Sequence, residues 1–123
     1  MAAARRGEEG IGGVWLVNLR RGDVWLVDVP DYGVRPAVVL TRDAVLARLT
    51  SITVVPVTTR VRDIPTEVAM TPGRHGVTKP CVANCDNLLT VPRELFIRHL
   101  GTLDDETLTA IVEAIHVALA LEW

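Results

Sequence analysis

Arg21-Gly-Asp-Val-Trp-Leu-Val-Asp28, then Val34-Arg-Pro-Ala-Val-Val-Leu-Thr41, then Thr53-Val-Val-Pro-Val-Thr-Thr59 set the pattern of this chain. Each block carries an apolar run of strand length, and polar residues bracket every run: Arg21 and Asp23, Arg35, Thr58 and Thr59. Val- and Leu-rich runs punctuated by Gly, Pro and Asp are strand signals. Working outward, residues 23–29 read as a strand that ends in the Pro30-Asp-Tyr-Gly33 turn. Arg35 opens a second strand over 36–41, whose continuous apolar character predicts burial on both sides. Residues 43–48 suit about one helical turn. The strand over 52–59 contains Pro56, which cannot donate to a ladder and so belongs at an edge or bulge.

Beyond this centre, residues 66–70 and 80–86 read as strands flanking the Pro72-Gly-Arg-His-Gly76 loop. Pro92 starts a short helical turn, and residues 96–100 return as a strand. Thr102 with Asp105 resembles a capping box, with Asp for the usual Glu or Gln. Leu108, Ile111, Val112, Ile115 and Leu119 then recur at helical spacing. Periodicity thus predicts a mostly-β fold with a carboxyl-terminal helix.

A chain of 123 residues is one domain by size, and 49% hydrophobic with 4% aromatic content predicts an aliphatic core. Net charge is −2, but its distribution is uneven: residues 1–62 hold nine Arg against six acids, and residues 63–123 four bases against nine acids. Arg35, Arg42, Arg48, Arg60 and Arg62 could form a face for an anionic polymer, with ordinary solvated arginines as the alternative. No stretch is long and apolar enough for a membrane span. Arg5, Arg6, Glu8 and Glu9 with no apolar run after them do not make a secretory signal. Residues 1–13, rich in Ala, Arg, Glu and Gly, are expected to be disordered. Val14-Trp-Leu-Val17 echoes Val24-Trp-Leu-Val27, either as an extra edge strand beside 23–29 or by chance. Cys81 and Cys85 in one strand would sit ~13 Å apart, too far to bridge, which predicts buried, reduced thiols.

Metal chemistry finds no motif, since His75, His99 and His116 are dispersed with no H-x-x-E-H or C-x-x-C spacing. His116 is expected at the edge of the core and His99 facing solvent. Gly12-Gly13 lacks phosphate-loop spacing, and Ser51 is the only serine. Arg, Thr, Asn and Asp remain.

The ordered set of blocks resembles the MazF/PemK family of toxin endoribonucleases from bacterial toxin–antitoxin modules. The likeness continues through Val82-Ala-Asn-Cys-Asp86 and Ile97-Arg-His-Leu-Gly-Thr-Leu103, so it covers 20–123 and leaves 1–19 as an extension, flexible or one extra edge strand. The resemblance implies a small SH3-like barrel with a terminal helix, a homodimer in the cytoplasm, and a cognate antitoxin. Operator DNA would be bound only as a toxin–antitoxin complex. No cofactor, metal or membrane is implied.

The implied activity is sequence-selective cleavage of single-stranded RNA, in which the ribose 2′-hydroxyl attacks phosphorus and the 5′-oxygen leaves. The protein then has to stabilise phosphoryl charge and help move protons. Arg35 matches the Arg of the family's R-P motif, to which catalysis is assigned, and a guanidinium fork suits phosphate oxygens. Because a guanidinium ordinarily keeps its proton, Arg35 reads first as an electrostatic clamp. Thr58 matches the strand-end Thr, whose hydroxyl can donate to the scissile phosphate. Thr59, Arg60, Arg42 and Arg62 are supporting candidates. Asn84 and Asp86, two apart in a strand, would share one face, and Asp86 could accept the 2′-hydroxyl proton, orient Arg35 or read a base edge. Some relatives have Arg where Asn84 stands, which puts an Arg–Asp acid–base couple in doubt. The loop Val29-Pro-Asp-Tyr-Gly-Val34 is shorter than in many relatives, and Tyr32 could stack on an unpaired base or serve only the turn. Two other readings stay open: a non-enzymatic gyrase poison of the CcdB branch, acting through a terminal Trp such as Trp123, and a catalytically silent nucleic-acid-binding module.

Overall fold

The computed structural model describes residues 9–11, 14–16 and 18–121, with side chains from 18 to 121. Strands β1 (Glu9–Ile11) and β2 (Val14–Leu16) pair with each other in a separate two-stranded sheet. The echo at 14–16 therefore does not extend the sheet beside 23–29, and residues 9–11, within the stretch expected to be disordered, form a strand. The other residues of 1–13 lie outside the described ones.

A seven-stranded antiparallel sheet holds the rest together. It comprises β3 (Asp23–Val29), β4 (Gly33–Val39), β5 (Ser51–Thr58), β6 (Glu67–Met70), β7 (Cys81–Asn84), β8 (Leu89–Pro92) and β9 (Phe96–Thr102). Their order is β6-β7-β5-β4-β3-β9, with β8 also pairing β5. Helix α1 (Asp43–Leu46) follows β4, and α2 (Asp105–Ala118) closes the fold. The mostly-β architecture with a terminal helix is as expected, but backbone hydrogen bonds do not close the sheet into a full barrel. The loop over 71–80 instead lies against β9: a Cβ on Gly76 would stand 2.6 Å from the Leu100 carbonyl oxygen.

Alternation along the strands divides the core between the two faces. Val24, Val38, Val55 and Val57 pack with Met70, Ala83, Cys85 and, from α2, Ile111 and Ala114. Trp25, Val27, Ala37, Val39, Ile52, Val54, Val91 and Phe96 fill the other face. The burial of both faces explains the near-continuous apolar runs. Cys81 and Cys85 are both buried and unbridged, and burial followed by the nearby Asp86 charge pushes the Cys85 thiol up to about 11.

Pro56 sits in the middle of the sheet rather than at its edge, opposite Ala37. Thr53 accepts from the Leu40 backbone N–H, so odd-numbered residues of β5 turn their backbone groups toward β4 and even-numbered ones away. On that far side the pairing with β8 stops at Val54 and the pairing with β7 starts at Val57, so the missing donor falls in the gap between two partners.

The Arg-Gly-Asp block proves structural. Asp23 is fully buried, and its carboxylate accepts from the Arg20 backbone N–H (3.0 Å), Trp25 Nε1 (3.3 Å) and Thr102 Oγ1 (3.1 Å). Thr102, at the end of β9, is thereby bound to β3 and does not cap the helix. The cap is Asp104, which accepts from the Thr107 backbone N–H at 3.0 Å. His99 is half-buried against Trp25, ring centroids 5.6 Å apart, rather than facing solvent, while His116 is exposed rather than at the core edge. Leu119, the end of the expected stripe, is exposed as well.

Candidate active site

The β4–β5 register places Ala37 opposite Pro56, Val38 opposite Val55 and Val39 opposite Val54. Continued two residues outward, the same register sets Arg35 across from Thr58 on one face of the sheet. Residues directly opposite on antiparallel strands have Cβ atoms roughly 5 Å apart. The turn between β3 and β4 holds Tyr32 beside them. Its carbonyl accepts from Arg35 Nη2 at 2.5 Å, and its ring lies 5.4 Å from the guanidinium carbon, a cation–π distance. Arg35 Nε is buried and has no hydrogen-bond partner among the described residues. Thr58 Oγ1 accepts from the Arg60 backbone N–H at 3.1 Å, which leaves its own proton to donate elsewhere.

These groups open onto a cleft of about 210 Å³. Tyr32, Arg35, Thr58, Arg60, Arg62 and Asn84 line it, together with Pro56, Asn87 and Leu89. Three guanidiniums and no carboxylate face this space, so its field is positive although the chain is acidic overall. Arg60 and Arg62 arrive on the segment after β5, which Glu67 fastens by accepting from the backbone N–H groups of Arg62 (2.8 Å) and Asp63 (3.1 Å).

The strand expected over 80–86 ends at Asn84, and residues 85–87 form a 3-10 turn. Asn84 Oδ1 caps that turn by accepting from the Asp86 backbone N–H at 3.1 Å. A 3-10 turn has three residues per turn, so Asn84 and Asn87 reach the cleft together and Asp86 is carried away. Asp86 Oδ2 instead accepts from Thr66 Oγ1 at 2.5 Å, and the residue is absent from the cleft lining. The shared strand face predicted for Asn84 and Asp86 is thereby corrected. Thr59 lines a neighbouring cavity, and Arg42 is exposed at the start of α1. Asn87, Pro56 and Leu89 were not among the site candidates read from the sequence. Only recognition of the 3-10 turn would have brought Asn87 in.

Among the described residues, no group of three or more His, Cys, Asp or Glu is placed to hold a metal ion. Fold and cleft together define a mostly-β protein with a terminal helix and a cleft lined by three arginines. Residues 20–119 match the family described as PemK-like, MazF-like toxin of type II toxin-antitoxin system. The chain is 36% identical over 99 residues to the probable endoribonuclease MazF5 of Mycobacterium tuberculosis, covering 80% of this chain and 91% of that one. It is 40% identical over 89 residues to endoribonuclease MazF3 of the same species, covering 72% and 85%. The solved M. tuberculosis toxin MazF-mt6 superposes with a TM-score of 0.76 at 36% identity, covering 82% of this chain and 99% of that one. A mycobacterial endoribonuclease solved in complex with its cognate antitoxin gives a TM-score of 0.76 at 32% identity, covering 86% and 99%. The chain belongs to the PemK/MazF toxin family.

Proposed function

We propose that this toxin is a metal-independent endoribonuclease that cuts single-stranded RNA, with Arg35 and Thr58 at the scissile phosphate. The observation that carries the reading is the placement of Arg35 opposite Thr58 in a cleft lined by two further arginines and no carboxylate. The ribose 2′-hydroxyl forms the new bond to phosphorus and the bond to the 5′-oxygen breaks, leaving a 2′,3′-cyclic phosphate and a 5′-hydroxyl. Charge gathers on the non-bridging oxygens, where the Arg35 fork and the Thr58 hydroxyl donate. The buried Nε of Arg35 gains an acceptor in that state, which offsets a cost of about 1–3 kcal/mol for an unpaired buried donor. Arg60 and Arg62 hold flanking backbone phosphates, and Tyr32 fixes the direction of Arg35. Asn84 and Asn87 present amides suited to a base edge or sugar hydroxyl.

The test is cleavage of a long RNA in excess chelator. Products should carry a 5′-hydroxyl and a cyclic or 3′-phosphate, and RNA with 2′-deoxy or 2′-O-methyl at the scissile residue should survive. Efficient cutting of that modified RNA would remove the mechanism. The gyrase-poison reading is not favoured, because the curated relatives are named endoribonucleases. A catalytically silent module would bind RNA without cutting it.

The partners follow the family: a cognate antitoxin, a second copy of the chain, and operator DNA only through the toxin–antitoxin complex. Exposed Ile97, Val117 and Leu119 offer apolar surface to a protein partner. No helix among the described residues is long and apolar enough to cross a membrane, and the cytoplasm is the compartment where RNA and antitoxin meet the toxin. The domain starts at Leu19 or Arg20: Leu19 is buried in the core and Arg20 bonds Asp23, whereas β1 and β2 pair only with each other.

A further inference from the structure

Thr58 borders two cavities. On the opposite face of the sheet from Arg35, Leu26 of β3 is paired with Arg98 of β9 and Pro36 of β4. The β4–β5 register continues this row to Val57. Arg98, Leu26, Pro36 and Val57 thus form a transverse stripe across four strands, and it floors a second cavity of about 300 Å³. The facing wall is the loop over 71–80, which contributes Thr78 and Lys79. Thr58, the last residue of β5, lines both cavities, and Thr59 after it lines the second.

The wall is held in place before any ligand arrives. His75, only 2% exposed, accepts from the Thr71 backbone N–H on Nδ1 (2.8 Å). That bond fixes the tautomer, so Nε2–H donates to Asp104 at 2.9 Å and ties the loop to the start of α2. Gly76 packs on the Leu100 backbone too closely for any side chain. Lys79 and Arg98 are exposed, and neither forms an ion pair among the described residues. The lining therefore combines apolar Leu26, Pro36, Val57 and Leu100 with threonine hydroxyls and with two cations that have no ion-pair partner among the described residues. An anionic small molecule would need no apolar floor, and an apolar one would need no cations. One nucleotide of a single strand uses both, since bases bury their faces while phosphates meet Lys and Arg.

We propose that this cavity is a second RNA subsite, taking one nucleotide that flanks the scissile bond after the strand crosses the end of β5. Lys79 and Arg98 hold its phosphodiester, apolar Leu26, Pro36 and Val57 receive its base, and Thr59 and Thr78 face the base edge. The assignment rests on the ribonuclease reading and gives it a recognition element outside the catalytic cleft.

Its test uses the full chain and a fluorescent RNA blocked by 2′-O-methyl at the cut site, with anisotropy measured across a salt series. A Lys79→Ala/Arg98→Ala variant should bind about ten-fold more weakly at moderate salt, and its log–log salt slope should be shallower by about 0.7–1.4. In cleavage, the loss should fall on KM. It should disappear when the RNA is shortened on one side of the scissile bond and persist when shortened on the other. If wild-type protein neither binds nor cuts RNA, the ribonuclease reading itself fails. If wild type cuts but the variant keeps its affinity and slope, the subsite alone is overturned. A penalty that survives shortening from either side would overturn it equally, because the two cations would then act as diffuse charge.

Discussion

Arg35 and Thr58 occupy facing positions on neighbouring strands, two residues beyond the last paired position of the β4–β5 ladder. Each is held by a backbone group outside the ladder: Arg35 by the Tyr32 carbonyl, and Thr58 by the Arg60 N–H that it accepts. Both side chains therefore start from strands and are oriented by neighbouring backbone groups, while Arg60 and Arg62 arrive on the irregular segment after β5. On the proposed mechanism the oriented donors serve where charge develops and the cations of the segment after β5 serve binding.

Arg35→Ala should lower the single-turnover rate by about 10²–10³, the usual effect of deleting one donor at a developing oxyanion. Arg35→Lys should recover little of it, because a point charge lacks the planar fork and cannot span both the Tyr32 carbonyl and a phosphate. Far-ultraviolet circular dichroism of both variants should match wild type.

Arg60→Ala and Arg62→Ala should raise KM several-fold and flatten the salt dependence of RNA binding while leaving kcat within a small factor. Arg42→Ala should do neither, since Arg42 is exposed at the start of α1 and does not line the cleft. A filter-binding series from low to moderate salt separates the two groups.

Much of the fold could be read from the chain because strand-length apolar runs between Gly, Pro and Asp leave few alternatives. Residues 23–29 match the observed strand end to end, and β5 and β6 lie within a residue of expectation. Arg35, Thr58, Arg60, Arg62, Asn84 and Tyr32 do converge on one cleft, because a register set by alternation carries bracketing residues to the same end of the sheet. Several of the differences share a cause. Asp86, Asn87, Thr102 and His75 depend on a 3-10 turn, a cap and a loop whose side-chain hydrogen bonds leave no periodic trace in sequence. Strand β8 was missed because Leu89–Pro92 is too short to show an alternation.

Asp104 should make the acid limb of stability steep. Its carboxyl is held well below the usual carboxylate range, first by the Thr107 side chain and then by His75. The folded value is depressed, so the stabilisation is complete above the unfolded value of about 3.9 and is lost as pH falls below it. Denaturant midpoints taken from pH 7 to pH 3 should drop for wild type. The Asp104→Asn variant should be less stable at pH 7 and change less toward pH 3.

Gly76→Ala should destabilise the protein by about 2–3 kcal/mol. The position has φ +77, and an added Cβ would meet the Leu100 carbonyl oxygen at 2.6 Å and its carbon at 2.7 Å. Equilibrium urea unfolding gives the value directly. A change below about 0.5 kcal/mol would show that the loop over 71–80 does not rest on β9 in solution.

The most direct measurement is a double-mutant cycle on Arg35→Ala and Thr58→Val, read as single-turnover cleavage of RNA at saturating protein with excess chelator. Two donors on the same phosphoryl group act as a unit, so their losses are not independent. The double variant should be slower than wild type by little more than Arg35→Ala alone, well short of the product of the two single losses. Cleavage by Arg35→Ala at the wild-type rate, or losses that multiply in full, would contradict the shared-phosphate site.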